Sequence, residues 1–250
     1  MNMPAPGEGQ PPMTIESIRY SGTTADYLHD HFCDQATLAR LADIDVETLR
    51  ALIAGALAPD AAYVVANGTI SSYVFGEMDA PDAPAGHWYS KTNVAWIQRA
   101  LAVIDDHGEA AAAAALNTRF ESRYREALRA SHSAHGPLPG LSDGEGSFDD
   151  DAYSAQFDTV WTHFLAGTFS LCIRDAVDET RIAEKESLQL RLSAATDGGT
   201  RTIYSQTEAT AVRSLIARYV EVSMPFSPIE YARSSRRRLV ENVLPHLRQG

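Results

Sequence analysis

Residues Met224–Arg238, MPFSPIEYARSSRRR, carry the strongest local structural signal of the chain. Ser227 and Glu230 have the N-cap and N3 spacing of a capping box, in which each side chain bonds the other residue's backbone N–H. Pro228 stands at the first helical position, where the N–H that it lacks would be unpaired anyway. The stretch therefore predicts a helix over Pro228–Leu247.

The same stretch also predicts a hydrophobic contact at the start of that helix and a basic face along it. Phe226 and Tyr231 are placed to close over the cap as a hydrophobic staple. Arg233, Arg236 and Arg237 recur at i, i+3 and i+4, so a helix would present them on one basic face.

Arg238 belongs to the basic face as well. Three interpretations of this face remain open. It is a solvated surface with local partners at i+3 and i+4, or it docks against acidic parts of the same chain, or it binds an anionic ligand or partner. Arg174, farther along the sequence, is a further candidate for anion or partner binding.

The charge of the chain is unevenly distributed. The net charge is −12, and the first 109 residues hold 15 acidic against 5 basic side chains. The acidic balance disfavours nonspecific binding to phosphate backbones. The only two cysteines, Cys33 and Cys172, share no motif, which favours a reducing compartment over a disulfide framework. The sequence contains neither a signal-peptide pattern nor an apolar run long enough for a membrane span, so we expect a cytoplasmic protein.

The pattern of the chain predicts mostly helices. The front shows short amphipathic segments and then Asn67–Gly68 between β-prone runs, which is a hairpin signal. Long helices follow, then a stretch rich in Gly and Pro, and four more helices. We therefore predict a mostly α fold, with an N-terminal helix-turn-helix and a small β-wing followed by a C-terminal helical bundle. The predicted units are a disordered tail (1–22), the helix-turn-helix with its wing (23–78), long connecting helices (87–131), a linker (132–148) and a C-terminal helical domain (149–250).

The helix-turn-helix raises the possibility of DNA binding, but its charges oppose it. The second helix offers Arg50 against Asp45 and Glu47. Phosphate contacts supply most of the affinity for DNA and require Lys or Arg. We expect DNA to be an unlikely partner, and a packing or protein-docking module is the favoured interpretation.

Motifs for common chemistries are missing from the sequence. His29, His31 and Cys33 form an H-x-H-x-C string, but residues two apart on a helix do not share a face, so no metal is predicted. The P-loop, Rossmann, G-x-S-x-G and H-E-x-x-H patterns are absent as well. We expect no cofactor and a protein that is not catalytic on its own.

Trp88, Tyr89 and Trp96 lie beside a Pro-rich loop and are candidates for a docking surface, although aromatic side chains in such patterns are more often core. An enzyme with an unfamiliar site between the two halves remains an alternative. In that case Tyr63, His163, Arg174 or Arg233 would converge.

Four features occur in order along the chain: the front helix-turn-helix, GTFSLCIRDA (Gly167–Ala176), IAEKE (Ile182–Glu186) and MPFSPIEYARSSRRR. This arrangement resembles an uncharacterised, mainly actinobacterial family of domains of unknown function, with a MerR-like helix-turn-helix at the front. The likeness runs from about Thr23 to Val243. Pro59–Tyr63 departs from the family's Pro-Ser-Tyr turn. Some members are associated with natural-product biosynthesis, and the family supplies no catalytic residues to carry over.

The resemblance implies an accessory or partner protein in bacterial natural-product biosynthesis. It would act by protein–protein or anionic-ligand binding, and one version is the non-catalytic subunit of an enzyme complex. Its partner would be a biosynthetic enzyme or a carrier protein, and its ligand a small anion. A MerR-like transcriptional regulator is a further alternative.

Overall fold

The structure is a computed structural model that describes residues 18–247 of the chain. Most of the predicted disordered tail, 1–22, lies outside the described residues, but Ile18 is fully buried. The front half contains α1 (Thr24–His31), β1 (Phe32–Asp34), α2 (Gln35–Leu41), α3 (Val46–Ala54), β2 (Tyr63–Ala66), β3 (Thr69–Ser72), β4 (Gly76–Asp79) and β5 (Gly86–Ser90).

Six helices follow the sheet and make up most of the remaining chain. They are α4 (Asn93–His107), α5 (Glu109–His135), α6 (Asp150–Leu165), α7 (Thr168–Cys172), α8 (Glu179–Ala195) and α9 (Gln206–Val222). In the segment 132–148, which was expected to be a linker, the first residues continue α5, and Leu138 and Leu141 are buried. Within residues 18–247, no helix combines the length and apolar character needed to cross a membrane.

The five strands form one antiparallel sheet in the order β1-β5-β2-β3-β4. The predicted fold class is therefore wrong, because this is a mixed α/β fold and not a mostly α fold with a small β-wing. The hairpin at Asn67–Gly68 is present, with positive φ at both turn residues. β1 was missed because it becomes a strand only by pairing with β5, more than fifty residues away, and β5 was missed because it pairs with β1 and β2, neither of which is its neighbour in sequence.

The sheet is fixed to the rest of the molecule through a shared apolar core. Tyr27 of α1 and Tyr63 of β2 pack with Leu171 of α7 and with Met224, near the start of the final segment of the chain. The sheet and the C-terminal half therefore bury one another's apolar side chains.

We call residues 223–247 the tail segment, and its course differs from the prediction. A single helix over Pro228–Leu247 is wrong: the segment consists of a turn, a 3-10 helix at Tyr231–Arg233, a π-helix at Arg237–Glu241 and a 3-10 helix at Leu244–His246. It begins with an antiparallel bridge between Ser223 and Ile173. The tail segment is thus held by contacts with distant residues as well as by its own hydrogen bonds.

Candidate functional site: a cavity between the sheet, helix α8 and the tail segment

A cavity of about 340 Å³ lies where the β3–β4 turn, helices α6 to α8 and the tail segment meet. Its volume is at the small end of the range for small-molecule sites. Apolar side chains form most of its wall, namely Val74, Phe75, Val160, Phe169, Leu171 and Phe226. The polar lining includes Cys172, Lys185, Glu186, Gln189, Arg233 and Arg238.

An ion pair lies at the floor of the cavity. Lys185 is 3% exposed, and its Nζ donates to Glu186 Oε1 at 2.8 Å. Burial acts to lower the pKa of Lys185, but the Glu186 carboxylate beside it raises that pKa, and the net pKa lies above that of an ordinary lysine. Lys185 is therefore a charged ammonium group at neutral pH, neutralised by its neighbour in sequence.

Two further floor side chains are held in their neutral forms. Burial raises the pKa of the Cys172 thiol and raises that of the Tyr124 phenol well above its usual value. A neutral thiol is a poor nucleophile, and a protonated lysine is not one. The floor is consequently suited to hydrogen bonding and not to covalent catalysis by Cys172 or Lys185 at neutral pH.

A buried tyrosine positions two other polar groups of the lining. The Tyr219 hydroxyl lies 2.7 Å from Ser235 Oγ and donates to Gln189 Oε1 at 3.4 Å. Ser235 and Gln189 both line the cavity, whereas Tyr219 is fully buried behind them. This network joins the tail segment to α8.

The corner between α6 and α7 depends on a glycine. Gly167 has φ +70°, and a Cβ there would lie 2.5 Å from the carbonyl oxygen of Asp60. Only glycine allows this approach of the front half to the corner. Next to it, His163 Nδ1 lies 3.1 Å from Thr168 Oγ1, and the His163 ring packs edge-on against Tyr73.

Two arginines lie at the mouth of the cavity. Arg233 Nη1 donates to the carbonyl oxygen of Phe75 at 2.9 Å, and Arg238 Nη1 donates to that of Gly198 at 3.1 Å. The backbone of Arg238 also packs on Gly199, where a Cβ would lie 2.0 Å from the Arg238 oxygen. Both side chains are exposed, and neither forms an ion pair with a carboxylate within residues 18–247.

A buried carboxylate holds the tail segment on the sheet. Glu230 is fully buried, and its two oxygens accept hydrogen bonds from the Tyr63 hydroxyl at 2.5 Å and from Ser72 Oγ at 3.1 Å. Burial raises the pKa of Glu230 to about 7. The predicted capping box is therefore wrong: Glu230 bonds to the sheet instead, and Ser227 Oγ has no hydrogen-bond partner within the described residues.

The predicted staple is also absent as a contact between its two members. Phe226 packs edge-on against Phe75, while Tyr231 lies under the guanidinium of Arg19. Phe226 has φ +50°, which is uncommon for a side chain of its size. The two rings thus contact the cavity wall and the start of the described chain.

The four arginines expected to bind anions or partners do not share one face. Arg236 is buried: Nε donates to Ser223 Oγ, and its other nitrogens donate to the carbonyl oxygens of Ile18, Val220 and Ser223. Arg237 is exposed over a separate depression beside Arg19 and Tyr231. Arg174 lies in another depression with Asp175 and Glu221. Arg233 alone of the four lines the cavity.

The three aromatic docking candidates lie in the interior. Trp88, Tyr89 and Trp96 are 7%, 1% and 2% exposed. The Trp96 indole donates to the carbonyl oxygen of Ala176, and the Trp88 indole donates to that of Pro84. None of the three side chains is available at the surface.

Of the four residues considered for an enzyme site, only two lie in the same cavity. His163 and Arg233 line the cavity, whereas Tyr63, which bonds Glu230, and Arg174, which lines another depression, do not. Within the described residues, no group of three His, Cys, Asp or Glu side chains could hold a metal ion.

Sequence reasoning missed Lys185, although a signal was present. Lys185 follows Ile182 by three residues and precedes Leu188 by three, and all three side chains are buried on α8. A lysine in the apolar stripe of an amphipathic helix departs from the usual pattern. Such a position indicates a buried charge that needs a partner.

Comparison with known proteins identifies the C-terminal half. Residues 116–248 match the profile of a family described as "Family of unknown function (DUF6058)". Comparisons with curated proteins and with solved structures find no match. The match includes α6 to α9, the tail segment and hence most of the cavity lining, while the sheet lies outside it. Because the match extends over more than half of its residues, this chain belongs to the DUF6058 family.

Proposed function

We propose that this protein binds a small amphipathic anion in the cavity and acts as an accessory or partner protein rather than as a free-standing catalyst. The observation that carries the proposal is the pair of exposed arginines, Arg233 and Arg238, at the mouth of a mostly apolar cavity. Arginine forks match carboxylate and phosphate groups, and an apolar wall favours a ligand with a hydrocarbon body.

The charge at the mouth supports this proposal. Many cations of residues 18–247 lack a carboxylate partner, but Arg233 and Arg238 are two such cations that line one cavity. Arg19, Arg119, Arg129 and Arg201 each form an ion pair with a carboxylate, whereas Arg233 and Arg238 form none among residues 18–247. A bound anion would complete the charge balance at the mouth.

The states of the floor residues support a binding role over catalysis. A charged Lys185 and a neutral Cys172 thiol offer hydrogen bonds but no activated nucleophile. A non-catalytic subunit that presents a small molecule to an enzyme would need only this binding chemistry.

The biosynthetic part of the proposal rests on the resemblance to actinobacterial proteins associated with natural products. A biosynthetic enzyme or a carrier protein is the partner that we propose. A tagged pull-down from nuclease-treated native lysate tests it: a stoichiometric biosynthetic partner is expected, and recovery of the protein alone contradicts the partner role.

A blocked cavity provides the direct test of ligand binding. Val160→Trp on α6 places a large ring in the cavity, and Thr159→Trp adds the same ring at a neighbouring exposed position that does not line it. The wild-type protein and Thr159→Trp are expected to be stabilised against heat by members of a panel of anionic amphiphiles. At a hundredfold excess over Kd the stabilisation is about 2.7 kcal/mol.

The Val160→Trp variant should lose that stabilisation while keeping the circular dichroism spectrum of the wild type. Equal stabilisation of both tryptophan variants by the panel would place binding outside the cavity and contradict the proposal.

A further inference from the structure

The cavity has two polar ends that differ in charge. At the mouth, the guanidinium groups of Arg233 and Arg238 each donate one hydrogen bond to a backbone carbonyl. A guanidinium has five N–H donors, so most of the donors of both groups remain available. The mouth is therefore a cationic end open to solvent.

The floor, in contrast, is neutral as a unit. Lys185 and Glu186 compensate each other's charge at 2.8 Å, and Lys185 is 3% exposed. A second anion placed here would face the Glu186 carboxylate and lose its hydration, which is costly for a buried charge. Gln189 and Ser235 add further donors and acceptors without charge. The floor therefore favours an uncharged hydrogen-bonding group.

The wall between the two ends is apolar. Val160, Phe169, Leu171 and Phe226 provide it, and none of them offers a side-chain hydrogen bond. A ligand that reaches from mouth to floor must therefore carry a hydrocarbon segment between its two polar ends.

From this arrangement, and resting on the binding function proposed above, we propose that the ligand is an amphipathic carboxylic acid with an uncharged polar group at its far end. Its carboxylate binds Arg233 and Arg238, its hydrocarbon segment lies along the apolar wall, and its hydroxyl or similar group bonds to the floor beside Lys185 and Glu186. Hydroxy acids with a flexible hydrocarbon chain are the simplest members of this class.

A series of four probes with the same carbon skeleton tests each end separately. The probes are 8-hydroxyoctanoate, octanoate, suberate and 1,8-octanediol, and isothermal titration of the full chain measures their affinities. We expect 8-hydroxyoctanoate to bind most tightly. Removing the carboxylate, as in the diol, should weaken binding by about tenfold or more, because charge-assisted hydrogen bonds are lost. Suberate should bind more weakly, because its second carboxylate would be placed at the floor beside Glu186.

Variants of neighbouring arginines locate the anionic end. Arg233→Gln and Arg238→Gln should each lower the affinity for 8-hydroxyoctanoate about tenfold. The affinity for the diol should not change. Arg237→Gln is the matched control, because Arg237 is exposed and adjacent in sequence but does not line the cavity.

The outcomes separate this inference from the proposed function. If the diol binds as tightly as the hydroxy acid and Val160→Trp abolishes both, the anionic end is overturned, both here and in the proposed function, while ligand binding in the cavity stands. Tightest binding by suberate overturns the uncharged end. No binding by any of the four overturns this ligand class, and an additional absence of Val160-dependent ligands in the amphiphile panel overturns the binding function as well.

Discussion

Two segments of the C-terminal half share the pattern Ser-x-x-Glu and use it in opposite ways. At Ser205–Glu208 the capping box forms, with the Glu208 carboxylate accepting from the Ser205 N–H and Ser205 Oγ accepting from the Glu208 N–H. At Ser227–Glu230 no capping box forms, because the Glu230 carboxylate bonds to the sheet.

The environment of each glutamate explains the difference. Glu208 is partly exposed, and the hydrogen bond from the Ser205 backbone, with other contacts, lowers its pKa to about 2. Glu230 is enclosed by the sheet and the tail segment, and burial raises its pKa to about 7. The comparison teaches that a capping signal predicts a helix start only where no distant partner competes for the carboxylate.

The largest expected effect comes from Arg236, which anchors the tail segment. Arg236→Ala leaves three carbonyl oxygens without this donor, at Ile18 and Ser223 in buried contacts and at Val220 in a partly buried one. We expect a loss of about 4 kcal/mol in the free energy of unfolding, measured by urea denaturation.

Arg201→Ala is the comparison at the capped segment, where Arg201 forms a partly exposed pair with Glu208. Its loss should be far smaller. A similar loss in both variants would show that Arg236 is not an anchor.

The next effect is the dependence of the free energy of unfolding on pH, which has opposite signs for the two glutamates. Since the folded pKa of Glu230 lies above the unfolded value, the native state binds the extra proton, and stability falls as pH rises from about 4.5 to about 7. The change amounts to about 3 kcal/mol. Glu230→Gln removes it, so relative to wild type this variant should gain about that much between pH 5 and pH 8 in urea unfolding.

Glu208→Gln serves as the matched control for this pH effect. The lowered pKa of Glu208 gives stability that is present above about pH 4.5 and is lost as pH falls towards 2. The difference between this variant and wild type should therefore stay constant from pH 5 to pH 8. A constant difference for Glu230→Gln as well would contradict the buried position of Glu230.

A smaller loss of stability is expected from removing the Tyr63 hydroxyl, which donates a hydrogen bond to Glu230. Tyr63→Phe removes the hydroxyl that bonds this carboxylate, and should cost about 1–2 kcal/mol at pH 8, where the carboxylate is charged. The cost should decrease at pH 5, where the group is protonated. Tyr204→Phe, near the capped segment, loses a hydrogen bond to the Arg201 carbonyl oxygen and should show a cost that is the same at both pH values.

The smallest expected change in stability comes from removing the hydroxyl groups of the two serines. Ser205→Ala removes a formed cap and should cost about 1 kcal/mol of unfolding free energy. Ser227→Ala removes a hydroxyl without a partner among residues 18–247 and should change stability by less than about 0.5 kcal/mol. Equal costs for the two variants would mean that the second box does form.

Local signals predicted the front helices well. α2 and α3 begin after Asp34 and Asp45, whose carboxylates accept from backbone N–H groups three residues later. The capping signal at Asp45 and the turn at Asn67–Gly68 act within a few residues, so the sequence is sufficient to predict the second of these helices and the hairpin.

The parts that depend on distant pairing escaped prediction. β4 is Gly-Glu-Met-Asp, a sequence without β propensity, and it exists because it pairs with β3. The site shows the same division: Arg233 and Arg238 both belong to the predicted basic face and both line the cavity, but the packing of Arg238 on Gly199 is a distant contact that the sequence pattern does not indicate. Lys185 could have been found as a charge within an apolar stripe.

The most direct test of the central claim is a methyl NMR titration of the full chain with 8-hydroxyoctanoate. Chemical-shift changes are expected at the methyl groups of Val74, Val160 and Leu171, which line the cavity. The methyl groups of Val103 and Val212, which lie in other parts of the core, should not change. Changes at the second pair without the first, or no changes at saturating probe, would contradict the claim that this cavity is the ligand site.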